Sequence, residues 1–195
     1  MAQLLALAGF GFVAAVTPGP NNLILWASGT EFGFRRSIRH VLGTAIGIGA
    51  MALGVAAGIG TLVTAVPGIA LAMKVAGTGY LLYLAWQVAG ASALTRTTIS
   101  RPLGLRQGAA FQLINPKSWI FALSAMTTFR PVDMPVIAGS LAVAVTMMLV
   151  VVPTAALWAA AGELIGQVLS GTRSARIVGL VLAALLAGTV VFVWI

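Results

Sequence analysis

Two short segments hold the polar chemistry of a chain that is otherwise apolar: Thr17-Pro18-Gly19-Pro20-Asn21-Asn22 and Asn115-Pro116-Lys117. Each proline removes a backbone donor and clashes with the turn before it, and Gly19 loosens the chain between two of them. A helix written this way frees carbonyls and amides from their partners. Beside them stand asparagine side chains and, in the second segment, a cation. In water such groups would be solvated; in hydrocarbon they must bind each other or a polar solute.

Other chemistry has little to work with. The chain has one histidine, three acidic residues and no cysteine, all scattered. A membrane enzyme needs a nucleophile with a base, a metal cluster or paired carboxylates, and none is written here. Neither a metal nor a cofactor is expected. Among the titratable groups, Glu31 and Asp133 read as loop residues. His40 reads as a surface residue beside arginines at the cytoplasmic start of helix 2. Glu163, just past the uncharged part of helix 5, is a candidate proton carrier or half of an interfacial salt bridge.

The elements that must position the two segments follow from composition. Hydrophobic residues make up 60% of the 195-residue chain and charged residues only 7%, with a mean hydropathy of +1.06. A soluble domain carries about 25% charged residues, so the expectation is an all-α integral membrane protein of a single domain over residues 1–195. The net charge of +8 sits in short basic segments between apolar stretches, which suits membrane lipids with anionic headgroups and no nucleic acid. Uncharged runs cover 1–30, 41–73, 75–95, 134–162 and 177–195, and a further apolar segment, 107–129, holds one lysine. About 20 residues cross a bilayer as a helix. The alternation of a β-barrel is absent.

The second run is interrupted at Thr64-Ala65-Val66-Pro67-Gly68, a turn between helix 2 (roughly 40–63) and helix 3 (roughly 69–94), which gives six transmembrane helices. The first lacks the basic n-region of a signal peptide and reads as a retained helix. Lys74 lies about one turn inside helix 3, where it can snorkel. Gly43, Gly47, Ala50, Gly54 and Gly58 line one face of helix 2, suited to close packing within a subunit or in a homo-oligomer. Trp26, Trp86 and Trp194 fall near expected membrane boundaries, and Trp119 either lines a cavity or packs.

Eight arginines (Arg35, Arg36, Arg39, Arg96, Arg101, Arg106, Arg173 and Arg176) fall on one side and only Arg130 on the other. By the positive-inside rule, both termini face away from the cytoplasm. Helix 1 then runs inward to about Ser28 and helix 4 outward from about Gln107. At ~1.5 Å per residue both breaks lie roughly 10–15 Å from the cytoplasmic end, near the midplane. Helices 1–3 (about 1–95) and 4–6 (about 107–195) form two inverted three-helix repeats, with helices 1 and 4 broken. Paired interruptions of this kind point to a transport site. A lysine at the centre of a helix costs ~2.5–3.5 kcal/mol on insertion scales. Phe111, Leu113, Ile114, Ile120, Phe121, Leu123 and Phe129 offset that by roughly 2–4 kcal/mol together. Lys117 is therefore expected to face the bundle interior or a wet cavity.

These segments resemble the LysE/RhtB family of amino-acid exporters. The resemblance runs from Thr17-Pro18-Gly19-Pro20-Asn21 through Gly33-Phe34-Arg35-Arg36 and the glycine-rich helix 2. It continues through Lys74-Val75-Ala76-Gly77-Thr78-Gly79-Tyr80-Leu81-Leu82-Tyr83-Leu84-Ala85-Trp86 to Arg106-Gln107-Gly108 and Phe111-Gln112-Leu113-Ile114-Asn115-Pro116-Lys117. It implies six helices in a bacterial plasma (inner) membrane and export of amino acids or close derivatives, driven by protons. Where family members often have Pro-Gln-Phe near the end of helix 4, this chain has Thr127-Thr128-Phe129. No carboxylate lies in mid-helix, which favours a zwitterion or free carboxylate over a dication.

The expected mechanism is alternating access around Thr17, Pro18, Gly19, Pro20, Asn21, Asn115, Pro116 and Lys117. Lys117 and the amides of the restarting helix 1 would attract the substrate carboxylate, and freed carbonyls would accept its ammonium. Asn21 and Asn115 would bond the polar parts of the substrate or the freed carbonyls. Lys117 or Glu163 would carry the coupling proton, since an amine withdrawn from water can bind and release one. The alternatives are a non-transporting structural membrane subunit and an exporter of another small solute.

Overall fold

The computed structural model describes residues 2–59, 65, 67–93, 101–168, 172–188 and 190–194. The described residues are helical apart from short turns. In chain order the helices are α1 (Ala2–Val16), α2 (Pro20–Phe32), α3 (Phe34–Ala56), α4 (Pro67–Ala93), α5 (Leu105–Ile114), α6 (Pro116–Phe129), α7 (Val136–Val168), α8 (Thr172–Gly188) and α9 (Val191–Trp194).

Both breaks fall where the prolines put them. Helix α1 stops at Val16 and α2 begins at Pro20 after a bend of 61°, and Asn115 alone separates α5 from α6. Helices α3 and α7 are each long and apolar enough to cross a bilayer, and α1–α2 makes a third span if the bent pair is taken together.

Three boundaries differ from expectation. Gly33, at φ +82°, reverses the chain within one residue, so α3 begins at Phe34 and Arg35, Arg36 and Arg39 lie in its opening turns. Arginine is a good helix former with a stem long enough to reach the interface, so the basic segment did not have to be a loop. Helix α2 likewise runs to Phe32 and takes in Glu31. Helix α7 continues past the last apolar residue of its run and includes Glu163. Thr64 and Val66 of the expected turn, and Arg96 of the expected basic loop, lie outside the described residues.

The bundle is organised around α7, whose 33 residues extend ~50 Å at 1.5 Å per residue. It packs against α1, α2 and α3, while α5 lies along α3 and α8 along α4. Small residues allow the closest crossings. A side chain at Gly29 or Gly162 would run into Ala159 or Trp26 across the α2–α7 contact, and one at Gly43 into the backbone of Leu105. In lipid, where apolar surface gains little by leaving its neighbours, this close van der Waals packing holds helices together. Gly43 and Gly47 of the small-residue face are used this way, against α5; Ala50 and Gly58 are exposed.

The core divides into two clusters. Leu7, Leu25, Ala45, Phe121, Met147 and Ala155 belong to one; Leu23, Ile24, Leu81, Phe111 and Leu182 belong to the other. Helix α2 contributes to both, so the first break sits at the seam between them. Outside, Leu5 (72% exposed), Ile137 (76%) and Leu149 (68%) point away from the bundle, an outer surface matched to hydrocarbon.

Candidate functional site

At the first break the prolines free specific carbonyls. Pro18 cannot donate to Ala14, and the Thr17 hydroxyl does so instead at 2.8 Å. The Ala15 and Thr17 carbonyls accept from the side-chain amide of Asn22 at 2.7 and 2.9 Å. The rest comes from the other break: Lys117 Nζ donates to the Thr17 carbonyl at 2.6 Å and to its Oγ1 at 2.9 Å. Gly19 is extended (φ −174°), and no side chain caps the start of α2. A Cβ there would lie 2.9 Å from Lys117 Cδ, so the flexible lysine stem would have to shift.

The second break is satisfied locally. Pro116 cannot donate to Gln112, and the Asn115 amide takes that carbonyl at 3.2 Å. The Asn115 side chain then caps α6 by accepting from the Lys117 backbone at 3.2 Å. Capping by asparagine at this position is worth about 1 kcal/mol.

A buried polar cluster joins the breaks. Asn21 Oδ1 accepts from Gln112 Nε2 at 3.0 Å and from Thr44 Oγ1 at 3.2 Å, and lies 3.3 Å from His40 Nε2. Gln112 Oε1 in turn accepts from Ser118 Oγ at 2.7 Å and from Asn115 Nδ2 at 3.5 Å. Asn21, Thr44, Gln112, Asn115 and Ser118 are all buried. Between the breaks lies a cavity of about 50 Å³, lined on its polar side by Gly19, Asn21, Asn22, Thr44, Gln112, Asn115, Lys117, Ser118 and Thr154, with Ile48, Phe121 and Val151 among its apolar walls. That is room for a few water molecules, less than an amino acid occupies.

Of the expected site residues, Gly19, Asn21, Asn115 and Lys117 line this cavity. Pro20 is buried behind them, Pro116 is half-buried, and Thr17 and Pro18 are exposed. Glu163 is elsewhere: its carboxylate lies against Gly33 at the α2–α3 turn, 3.2 Å from where a Cβ of that glycine would be. His40 corrects the reading from sequence. It lies on α3 facing α2 and α5, and its ring is fully buried, because a helix that starts at Phe34 carries position 40 inward. The carbonyls expected to await an ammonium are also not all open, since those of Ala14, Ala15, Thr17 and Gln112 already have partners.

Trp119 packs, its indole donating to Leu113 O at 2.8 Å, and is absent from the cavity wall. Trp26 lies against Trp158 with ring centroids 5.9 Å apart and the planes tilted by 46°, while Trp86 and Trp194 are exposed. Lys74 Nζ sits 5.8 Å from the Trp194 ring centroid, a cation–π contact. Gln112, Thr44, Ser118 and Thr154 join the site without belonging to the expected set. Their signal was a polar side chain inside an apolar helix, which marks a functional position by default only when charged.

A family model described as LysE type translocator matches residues 12–195. The cysteine/O-acetylserine efflux protein of Salmonella choleraesuis (strain SC-B67) is 30% identical over 156 residues, 80% of each chain. Its namesake in Escherichia coli O1:K1 / APEC is 28% identical over 178 residues, covering 91% of this chain and 90% of that one. The namesake from Klebsiella pneumoniae (strain ATCC 700721 / MGH 78578) is 33% identical over 120 residues, 62% of this chain and 61% of that one. No solved structure matches.

Proposed function

Because the chain belongs to the LysE type translocator family, we propose that it is a secondary transporter exporting small polar amino acids of the cysteine and O-acetylserine class. The observation that carries this reading is the meeting of the two helix breaks, where Lys117 of one reaches Thr17 of the other beside a cavity with polar groups on one side. An ammonium has three donors. Two go to Thr17, and the third is available to a carboxylate, together with the uncapped amides that open α2. Helix N-termini favour anionic groups. Asn21, Gln112 and Ser118 supply neutral hydrogen-bonding groups for the remainder of the substrate.

The cavity is smaller than such a substrate, so this conformation is a closed one and transport requires the breaks to separate. Breaking the Lys117–Thr17 contact is the natural opening move, since it frees both the ammonium and the carbonyl for ligand. We read α1–α2, α3 and α4 as one repeat and α5–α6, α7 and α8–α9 as its inverted counterpart, six spans in a single domain of the bacterial inner membrane. Arg35, Arg36, Arg39, Arg101 and Arg106 line one groove, which supports placing that face toward the cytoplasm and both termini on the other side. Proton exchange is the drive we assign.

Export of an amino-acid panel from loaded cells tests this, with Lys117→Ala at equal membrane abundance. Faster efflux of one class, lost in the variant, is the expected result. Efflux equal to empty cells across the panel would move the reading to another solute or a structural subunit.

A further inference from the structure

His40 is the only histidine in the chain, and its surroundings give it a role beyond packing. Asn21 Oδ1 can only accept, so at 3.3 Å the hydrogen belongs to His40 Nε2 and the lone pair to Nδ1. Nδ1 is buried and without a partner, an uncommon state for a ring nitrogen in a folded interior. Gly108 makes room for the ring, since a Cβ there would lie 2.8 Å from His40 Cδ2. On one side of this contact is a groove of about 910 Å³ lined by Arg35, Arg36, Arg39, Arg101, Arg106 and Gln107. On the other is the cavity, reached through Asn21 and Thr44. His40 bonds Asn21 of the cavity wall and packs on Gly108, next in sequence to Gln107 of the groove.

We propose that His40 carries the coupling proton and signals its charge to both helix breaks through Asn21 and Gln112. This rests on the exporter reading and deepens it. A proton from water adds at Nδ1, giving an imidazolium whose Nε2–H bond to Asn21 Oδ1 becomes charge-assisted and stronger. Gln112 and Thr44 share that oxygen, so a stronger claim on it loosens Gln112, which also holds Asn115 and Ser118 at the second break. Loss of the same proton to water in the groove restores the neutral ring. The charged groups on the elements around His40 are the exposed arginines Arg35, Arg36 and Arg39 on its own helix, Glu31 on α2, Arg106 on α5, Lys117 on α6 and Glu163 on α7.

The test uses the full chain in liposomes with labelled O-acetylserine, comparing wild type with His40→Gln. Its readout is the steady-state accumulation ratio under an imposed pH gradient, which does not depend on how fast a variant works. One proton exchanged per substrate supports about tenfold accumulation per pH unit. Wild type is expected to accumulate, and His40→Gln to stop at equal concentrations. Accumulation by His40→Gln at the wild-type ratio overturns the proposal. Wild type that exchanges substrate yet ignores the gradient overturns it while sparing the exporter reading, and wild type that moves no amino acid sinks both.

Should His40→Gln fail to insert, the single histidine gives a direct measurement in wild type. Its ring resonance, followed against pH in nanodiscs, is expected to change its midpoint when O-acetylserine is added. An unchanged midpoint removes His40 from coupling.

Discussion

The two helix breaks use the same residue types and solve the same problem in opposite ways. In the α5–α6 break one proline is bypassed by one residue, and Asn115 both fills the freed carbonyl of Gln112 and caps the helix that follows. In the α1–α2 break two prolines open a gap from Thr17 to Gly19, the restarting helix has no side-chain cap, and the Thr17 carbonyl is shared between Asn22 and a lysine 100 residues away. The α5–α6 break meets its backbone needs from its own residues. The other is held shut by a contact that a competing ligand can replace, which makes it the half expected to respond to substrate.

Removing Lys117 should break this asymmetry most severely. Hydrogen bonds to charged groups contribute about 1.5–3 kcal/mol, so Lys117→Ala is expected to lower substrate affinity by about 10- to 100-fold in a binding titration, beyond the loss of export. Equal affinity in the variant would mean that Lys117 serves only to close the first break.

Asn22→Ala comes next. It deprives the Ala15 carbonyl of its partner while Thr17 keeps Lys117, and an unsatisfied buried group costs about 1–3 kcal/mol. Unfolding in detergent should show the loss. Asn115→Ala should cost less, about 1 kcal/mol for the cap, and Asn115→Asp should recover the cap. A larger loss at Asn115 than at Asn22 would reverse the comparison.

Gly19→Ala is the mildest. The backbone there is one any residue adopts, and the atom in the way is the flexible Lys117 stem. Displacing that stem off its rotamer costs about 0.5–1.5 kcal/mol, so unfolding in detergent should show a loss no larger than that.

Much of this is legible in the sequence. Pro18, Pro20 and Pro116 mark the breaks because a missing amide hydrogen is a covalent fact that no packing reverses. Lys117 had to find polar company because a charge in hydrocarbon is costly. The helix ends were less legible. The switch of direction at Gly33 hides inside a basic run that propensity allows to be either helix or loop, and the six-residue difference in where α3 begins is what turns His40 from the surface to the interior.

The sequence by itself determined that this is an apolar helical membrane protein with two interrupted helices, since composition and proline act over a few residues at most. Only the tertiary structure decided which side chains share a site. Asn21 meets Gln112 across 91 residues, Lys117 meets Thr17 across 100, and Glu163 is carried away to Gly33. Those meetings are set by how closely helices approach and how they are rotated, at crossings such as Gly43 on Leu105 and Gly108 on His40. A one-dimensional pattern fixes the faces of each helix but leaves open which faces oppose each other, and shape complementarity along the whole bundle makes that choice.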